Sequence, residues 1–394
     1  MSDRLRLTRR GLLARGIALG CSAAASPFVT PIALASAPWD ARLVVIILRG
    51  GMDGLDVVQP WGDRDFASLR KGALAAGPEH GASDLDGFYA LHPAMAPLLP
   101  LWTAGELGFA HAVATPYRDK RSHFDGQDLL EAGTGYGAGQ PISRDGWLNR
   151  MLQSVPGVEA RTAFAIGRED LLVLNGAAPV ANWSPDTSLE MSPQAESLLR
   201  LVAEGDPRFA AAIDEAIVLA GSADTMADVE VDDEGMMAMQ QMVEKGGGGH
   251  LKVAEFAVQQ LRADTRVAAF SLNGWDTHNG QGGALKRPLT QLAETIEALR
   301  LGLGDVWGKT AVLAMTEFGR TARENGTRGT DHGTGGAMIM AGGAVRGGKV
   351  YGDWPGLAEA DLYDRRDLMP TEDVRSYAAV AMEGLFGLDR GLLE

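Results

Sequence analysis

The densest set of residues able to do chemistry in this 394-residue chain lies between Thr316 and Met340, TEFGRTARENGTRGTDHGTGGAMIM. An apolar run, Ala311 to Met315, delivers Glu317 and Arg320. A glycine-rich polar loop leads to Asp331-His332-Gly333, and a second apolar run starts at Ala337. Carboxylate and imidazole groups at strand ends are the raw material of a metal or catalytic site. The plainer reading is a polar hairpin with a solvated histidine. Two other stretches repeat the pattern. Arg42 to Leu48 is a continuous β-branched run ending in Arg49-Gly50-Gly51-Met52-Asp53-Gly54-Leu55-Asp56. Arg266 to Leu272 runs into Asn273-Gly274-Trp275-Asp276-Thr277-His278. In extended chain Asp276 and His278 point to the same side and can share one cation. Asp53 comes directly off a buried strand, where an open α/β sheet places its site. Asp and Gly at that point also suit a tight turn.

A fourth stretch is Arg118-Asp119-Lys120-Arg121-Ser122-His123-Phe124-Asp125. Ser122, with Asp125 three residues on, resembles a capping box and opens a helix to about Ala132. The same geometry sets a hydroxyl at the positive end of a helix, with Arg118, Lys120 and Arg121 just before it. That is a local anion site, and a metal-coordinated serine there can act as a nucleophile. His80, His92 and His111 stand alone and read as structural or surface residues. His250, beside four glycines, reads as a linker or cap residue.

Strands and helices must carry these groups. Leu107 to Val113, Thr162 to Ile166, Leu171 to Leu174 and Lys309 to Met315 read as strands. Ala94 to Thr103, Trp147 to Gln153, Leu251 to Leu261, Leu285 to Leu303 and Glu372 to Leu385 read as helices. In the fourth of these, Leu285, Leu289, Leu292, Ile296 and Leu299 form the buried stripe. Residues 60–92 are loop-rich, and Val350 to Gly356 is turn-rich. Ser192 to Ala220 reads as largely helical, Asp224 to Glu234 is acidic, and a helical insertion or cap is expected at about 175–262. The order of elements is that of an α/β protein.

The first 35 residues read as an address. Thr8-Arg9-Arg10-Gly11-Leu12-Leu13 matches a twin-arginine export signal, and Ala33-Leu34-Ala35 fits a cleavage site. The expected mature domain is 36–394, in the periplasm or secreted. Cys21, the only cysteine, falls in the leader, so disulfides, thiolate metal sites and cysteine nucleophiles are excluded from the mature chain. The leader carries five arginines and one aspartate, so its removal takes the formal charge from −15 to −19. That balance argues against binding nucleic acid or an anionic membrane surface. No later apolar run approaches the roughly twenty residues of a membrane span.

The segments LRGGMDGLD, RSHFDGQDLLEAG, GWDTH, TEFGRT and GTDHGTGG, behind a twin-arginine leader, together resemble the DUF1501 family, whose members are mostly uncharacterised. The resemblance covers essentially the whole mature chain. It implies membership of the alkaline phosphatase and sulfatase superfamily: an alkaline-phosphatase-like three-layer α/β sandwich with a mostly parallel central sheet, and strand ends holding one or two divalent metals and a nucleophile. Carried over, Asp53 looks like the first metal aspartate, Ser122 like the nucleophile, and Asp276 and His278 like ligands of the other metal. The last region admits two registers. Asp331-His332-Gly333 matches the superfamily's aspartate-histidine-glycine motif in one. In the other, which strand context favours, Glu317 takes the aspartate position and His332 that of the final histidine. The second register leaves Phe318 where a histidine ligand is expected. Formylglycine sulfatase chemistry is not implied, since Ala114-Thr115-Pro116-Tyr117-Arg118 has alanine at the modified position.

The expected function is an exported metal-dependent hydrolase of phosphoester or related anionic esters, using a serine nucleophile. Zinc, manganese, magnesium or calcium would be held by Asp53, Asp276, His278, Glu317, Asp331 and His332. The anion would be held by Arg118, Lys120, Arg121 or Arg320. The alternative is a catalytically degenerate member that serves as a binding or assembly factor for an exported protein partner.

Overall fold

Arg42–Arg49 forms strand β1, whose first seven residues are buried because both faces of the sheet are covered. In the computed structural model the described residues are 39–70, 77–118, 120–135, 143–167, 169, 171–184, 234–246, 248–389 and 391. The remaining strands of the main sheet are β2 (Leu107–Ala114), β3 (Ala163–Ile166), β4 (Ala181–Trp183), β5 (Val267–Asn273), β6 (Thr310–Met315), β7 (Gly336–Ala341), β8 (Val350–Tyr351) and β9 (Glu372–Asp373). Their order is β8-β2-β7-β6-β1-β5-β3-β4, with β9 also paired to β2. Every pairing is parallel except the two made by β7, which runs against β2 and β6.

Among the described residues, six helices of seven residues or more cover the sheet: α1 (His123–Ala132), α2 (Trp147–Gln153), α3 (Glu234–Gly246), α4 (Gly249–Arg262), α5 (Lys286–Leu303) and α6 (Val374–Phe386). Alternate residues of β1 enter different cores, as the two-residue repeat of a strand requires. Val44, Ile46 and Leu48 pack with Met239, Phe256 and Leu292 of α3, α4 and α5. Leu43, Val45 and Ile47 pack with Leu130, Leu148 and Met382 of α1, α2 and α6. The protein is therefore an α/β three-layer sandwich around a mostly parallel sheet, as expected. No described helix is long and apolar enough to cross a membrane.

Three local expectations change. Leu171 to Leu174 is not a strand: Leu172–Leu174 is a 3-10 turn. Its groups go elsewhere, because Glu131 Oε2 accepts from Val173 N at 3.1 Å and Leu174 O accepts from Asn149 Nδ2 at 2.8 Å. Ala94 to Thr103 divides into a 3-10 segment, Pro93–Leu98, and a short helix, Leu99–Ala104. Within the span expected as a cap, β4 extends the main sheet and α3 and α4 pack in the same core as α5. The expected helix over 192–220 and the acidic stretch up to residue 233 lie outside the described residues, as do residues 1–35, where a leader is expected.

Candidate metal centre

The parallel strands β1, β2, β5 and β6 all end on one edge of the sheet, and antiparallel β7 begins there. That edge gathers the chemistry. β1 leaves through Gly50 and Gly51, with φ of 125° and 67°, a region open to glycine. A Cβ on Gly50 would sit 2.6 Å from Asp276 N, so no larger residue allows β1 and β5 to approach this closely. Arg320, fully buried, ties the strand ends together. It donates to Gly51 O (2.6 Å), Gly50 O (2.6 Å), Thr330 O (3.0 Å), Trp275 O (3.1 Å) and Asp276 Oδ1 (2.6 Å).

Three histidines meet at Asp276. His278 Nε2 lies 3.0 Å and His332 Nε2 3.2 Å from Asp276 Oδ1, and the two nitrogens are 2.9 Å apart. His123 Nε2 lies 3.5 Å from Asp276 Oδ2. Ligand atoms of His123, Asp276 and His332 all fall within 4.8 Å of one another.

The far nitrogen of each ring faces an oxygen that can only accept. His123 Nδ1 donates to Glu317 Oε1 at 2.7 Å, His332 Nδ1 to Arg121 O at 2.9 Å, and His278 Nδ1 faces Asp331 Oδ1 at 3.3 Å. In their neutral form, rings fixed in this way turn their Nε2 lone pairs toward Asp276, while the hydrogen bond to Glu317 also strengthens the hold of His123 on a second proton. Nitrogens 2.9 Å apart either share one proton or together face a cation, and His123 Nε2 is buried with no hydrogen-bond partner among the described residues. Separations near 3 Å suit neighbouring ligands of one ion with bonds of about 2.0–2.1 Å. Imidazoles anchored at the outer nitrogen by a carboxylate or carbonyl are the usual support of metal-bound histidine. The residues therefore fit a divalent ion.

The electrostatics agree. Burial opposes ionisation of Asp276 and Glu317, yet hydrogen bonds from Arg320 to the first and from His123 to the second hold both carboxyls below their ordinary range. Gly50 N and Gln127 Nε2 also donate to Glu317 Oε1, at 2.9 and 3.1 Å. Phe318, at the position where the resemblance led one to expect a ligand, stacks on His123 (5.1 Å between centroids) and lies 5.0 Å from the His332 ring.

Residues 102–388 match the model of a family described as protein of unknown function, DUF1501. The chain belongs to the DUF1501 family. A search of curated proteins returns no match. Among solved structures, the DUF1501 chain is similar to the PH0037 protein from Pyrococcus horikoshii at 13% identity, covering 90% of this chain and 98% of that one, with a TM-score of 0.33.

The remaining expected site residues of this DUF1501 chain fall elsewhere. Asp53 lies in a separate buried network, its two oxygens accepting from Arg70 Nη1 and Nη2 at 2.7 and 3.1 Å, with Gln281 Nε2 at 2.6 Å. A guanidinium stands where a second cation was expected. Ser122 caps α1, Oγ accepting from Asp125 N at 3.4 Å, and its backbone N donates to Tyr117 Oη at 2.8 Å. Arg118 is turned onto backbone, donating to Tyr117 O at 2.7 Å. Glu317 and Asp331 sit behind histidines rather than at the convergence point. His111 is buried against Val58 O at 2.9 Å, and His80 is exposed. The residue that sequence reasoning missed is His123. It sits inside the quoted RSHFDG segment, but the helix cap accounted for that segment without it.

Asp56 provides a pH prediction. Gln281 Nε2 donates to it at 3.0 Å, but burial and the neighbouring Asp53 push its carboxyl up to about 6. Between the ordinary value near 4 and about 6, the folded chain holds this proton more tightly than the unfolded one. Its contribution to stability is therefore full at the acid end and declines as pH rises through that window. Relative to wild type, Asp56→Asn is expected to gain on the order of 2–3 kcal/mol between pH 4 and pH 7. Urea unfolding of both proteins at the two pH values measures it, and an unchanged difference would rule the shift out.

Proposed function

We propose that this chain binds one divalent metal ion through His123, Asp276, His278 and His332 and hydrolyses phosphoesters or related anionic esters. The observation that carries the reading is the convergence of three anchored imidazoles on one carboxylate. Three nitrogens and one oxygen favour zinc over manganese, magnesium or calcium. An ion so held polarises an ester oxygen and neutralises charge that develops on it. Ser122 serves as the nucleophile in this reading. It adjoins His123 and is half-buried at the positive end of α1, where its hydroxyl caps the helix. Glu317 and Asp331 position His123 and His278, and Arg320 positions Asp276. The leader motif supports export of the folded chain.

A second reading, a binding or assembly factor for an exported partner, is favoured by one observation. Arg70 occupies Asp53, which leaves no second ion beside it.

Chelator-treated protein titrated with zinc and manganese is expected to take up one equivalent. Asp276→Ala and His332→Ala should abolish uptake, and Glu317→Gln should weaken it about 10–100-fold. Metal-loaded protein should hydrolyse aryl phosphate mono- or diesters, and Ser122→Ala should not. Absence of stoichiometric metal would overturn the site. Metal uptake without any Ser122-dependent turnover would overturn the hydrolase and favour the second reading.

A further inference from the structure

Two arginines meet at one carboxylate beside His332. Asp367 is fully buried and accepts from Thr334 Oγ1 at 2.9 Å and from Arg366 Nη1 at 3.0 Å, while Arg121 Nη2 lies 3.5 Å away. Both arginines are also joined to His332. The Arg121 carbonyl accepts from its ring at 2.9 Å, and Arg366 Nη1 donates to its carbonyl at 3.0 Å. One carboxylate offsets only one of two guanidiniums. Asp331, which also feels the Arg366 charge, is engaged with Asn325 at 3.0 Å and faces His278 at 3.3 Å. The side chains of Arg121 and Arg366 keep 34% and 32% of their surface open to solvent.

Two details single out Arg121. Its Nε is buried with no hydrogen-bond partner among the described residues. Its backbone is held at a φ of 52°, a left-handed conformation that is unfavourable for a residue bearing a Cβ. Strain of this kind persists where the surroundings impose it and clusters at ligand clamps. The other arginines near the strand ends are committed: Arg320 is fully buried on five acceptors, Arg70 is paired with Asp53, and Arg118 lies on backbone carbonyls.

We propose that Arg121 and Arg366 form the subsite for the nonbridging oxygens of a tetrahedral oxyanion bound next to His332. The guanidinium forks match such an anion in geometry as well as charge. In a chain of net charge −15 this corner makes the site selective for esters with an anionic head. The inference rests on the metal reading above for its place in a reaction, but not for its chemistry.

Inorganic phosphate and inorganic sulfate are the probes. Zinc-loaded full-length protein titrated calorimetrically should bind phosphate, with sulfate competing. Arg121→Gln and Arg366→Gln should each retain zinc uptake and lose roughly tenfold or more in phosphate affinity. Arg→Lys at either position should fall between, keeping charge without the fork. Independently of any variant, phosphate should shield Arg121 and Arg366 of the wild type from phenylglyoxal, read by peptide mass spectrometry. Unchanged phosphate affinity in both glutamine variants, or no shielding, overturns the subsite. Shielding by phosphate in protein that takes up no zinc leaves the subsite standing and overturns the metal centre. Zinc uptake without shielding does the reverse. If a variant fails to fold, the shielding measurement on wild type decides alone.

Discussion

Arg320→Met is expected to lower stability by about 5 kcal/mol or more and to abolish metal uptake. The guanidinium is buried and donates to four backbone carbonyls and one carboxylate, which come from the ends of β1 and β5 and from the loop before β7. A methionine fills much of the volume but satisfies none of them. Each carbonyl left buried without a donor loses about 1–3 kcal/mol, so even with partial relaxation the total is a large share of a domain's stability. Asp276 loses its strongest partner at the same time and is no longer held where the histidines converge. Arg320→Lys should recover part of the stability, since an ammonium reaches one or two acceptors but lacks the planar fork. Denaturant unfolding together with zinc titration measures both effects. A variant that unfolds within 1 kcal/mol of wild type would show that Arg320 is not the tie proposed.

Arg70→Met has the next largest effect, about 3–5 kcal/mol of destabilisation near neutral pH. Both members of the Arg70–Asp53 pair are buried, and Arg70 also donates to Ala322 O at 2.9 Å and Thr321 O at 3.1 Å. In wild type burial works against the Asp53 charge, but Arg70 and Gln281 outweigh it and hold the carboxyl below its ordinary range. Asp53 therefore stabilises the fold above its unfolded value near 4 and loses that contribution as pH falls through the lower folded value. Without Arg70 the balance reverses: the carboxyl moves up, and the variant's deficit shrinks toward pH 4. Adding Asp53→Asn to Arg70→Met should recover a substantial part of the loss at pH 7, because no buried charge then stands alone. Unfolding free energies at pH 4.5 and 7.5 test this. A double variant no more stable than Arg70→Met would mean that the two carbonyls, not the carboxylate, dominate.

The α/β class and the edge on which chemistry gathers were legible in the chain because continuous apolar runs bounded by glycine and acidic residues have few other uses. Arg42–Arg49, Val267–Asn273 and Thr310–Met315 are strands for that reason, and each runs into residues of the site. Asp276, His278 and His332 could be named from local pattern alone. The roles of the other groups depend on which partner arrives from far away in the chain. Asp53 looks like a ligand until Arg70, from a loop-rich stretch without periodicity, is packed against it. Glu317 looks like a ligand until α1 brings His123 onto its oxygen, 194 residues distant.

His123 itself was hidden because Ser122 does cap α1, and a satisfied local explanation leaves no residue demanding another. The insertion of β7 antiparallel between β6 and β2 has no local signature either, yet it sets His332 at the same edge as the ends of the parallel strands. Periodicity and turn chemistry act over a few residues and so are written locally. Whether a buried carboxylate meets a guanidinium, an imidazole or an ion is settled by packing between segments hundreds of residues apart, and that exists only in the folded chain.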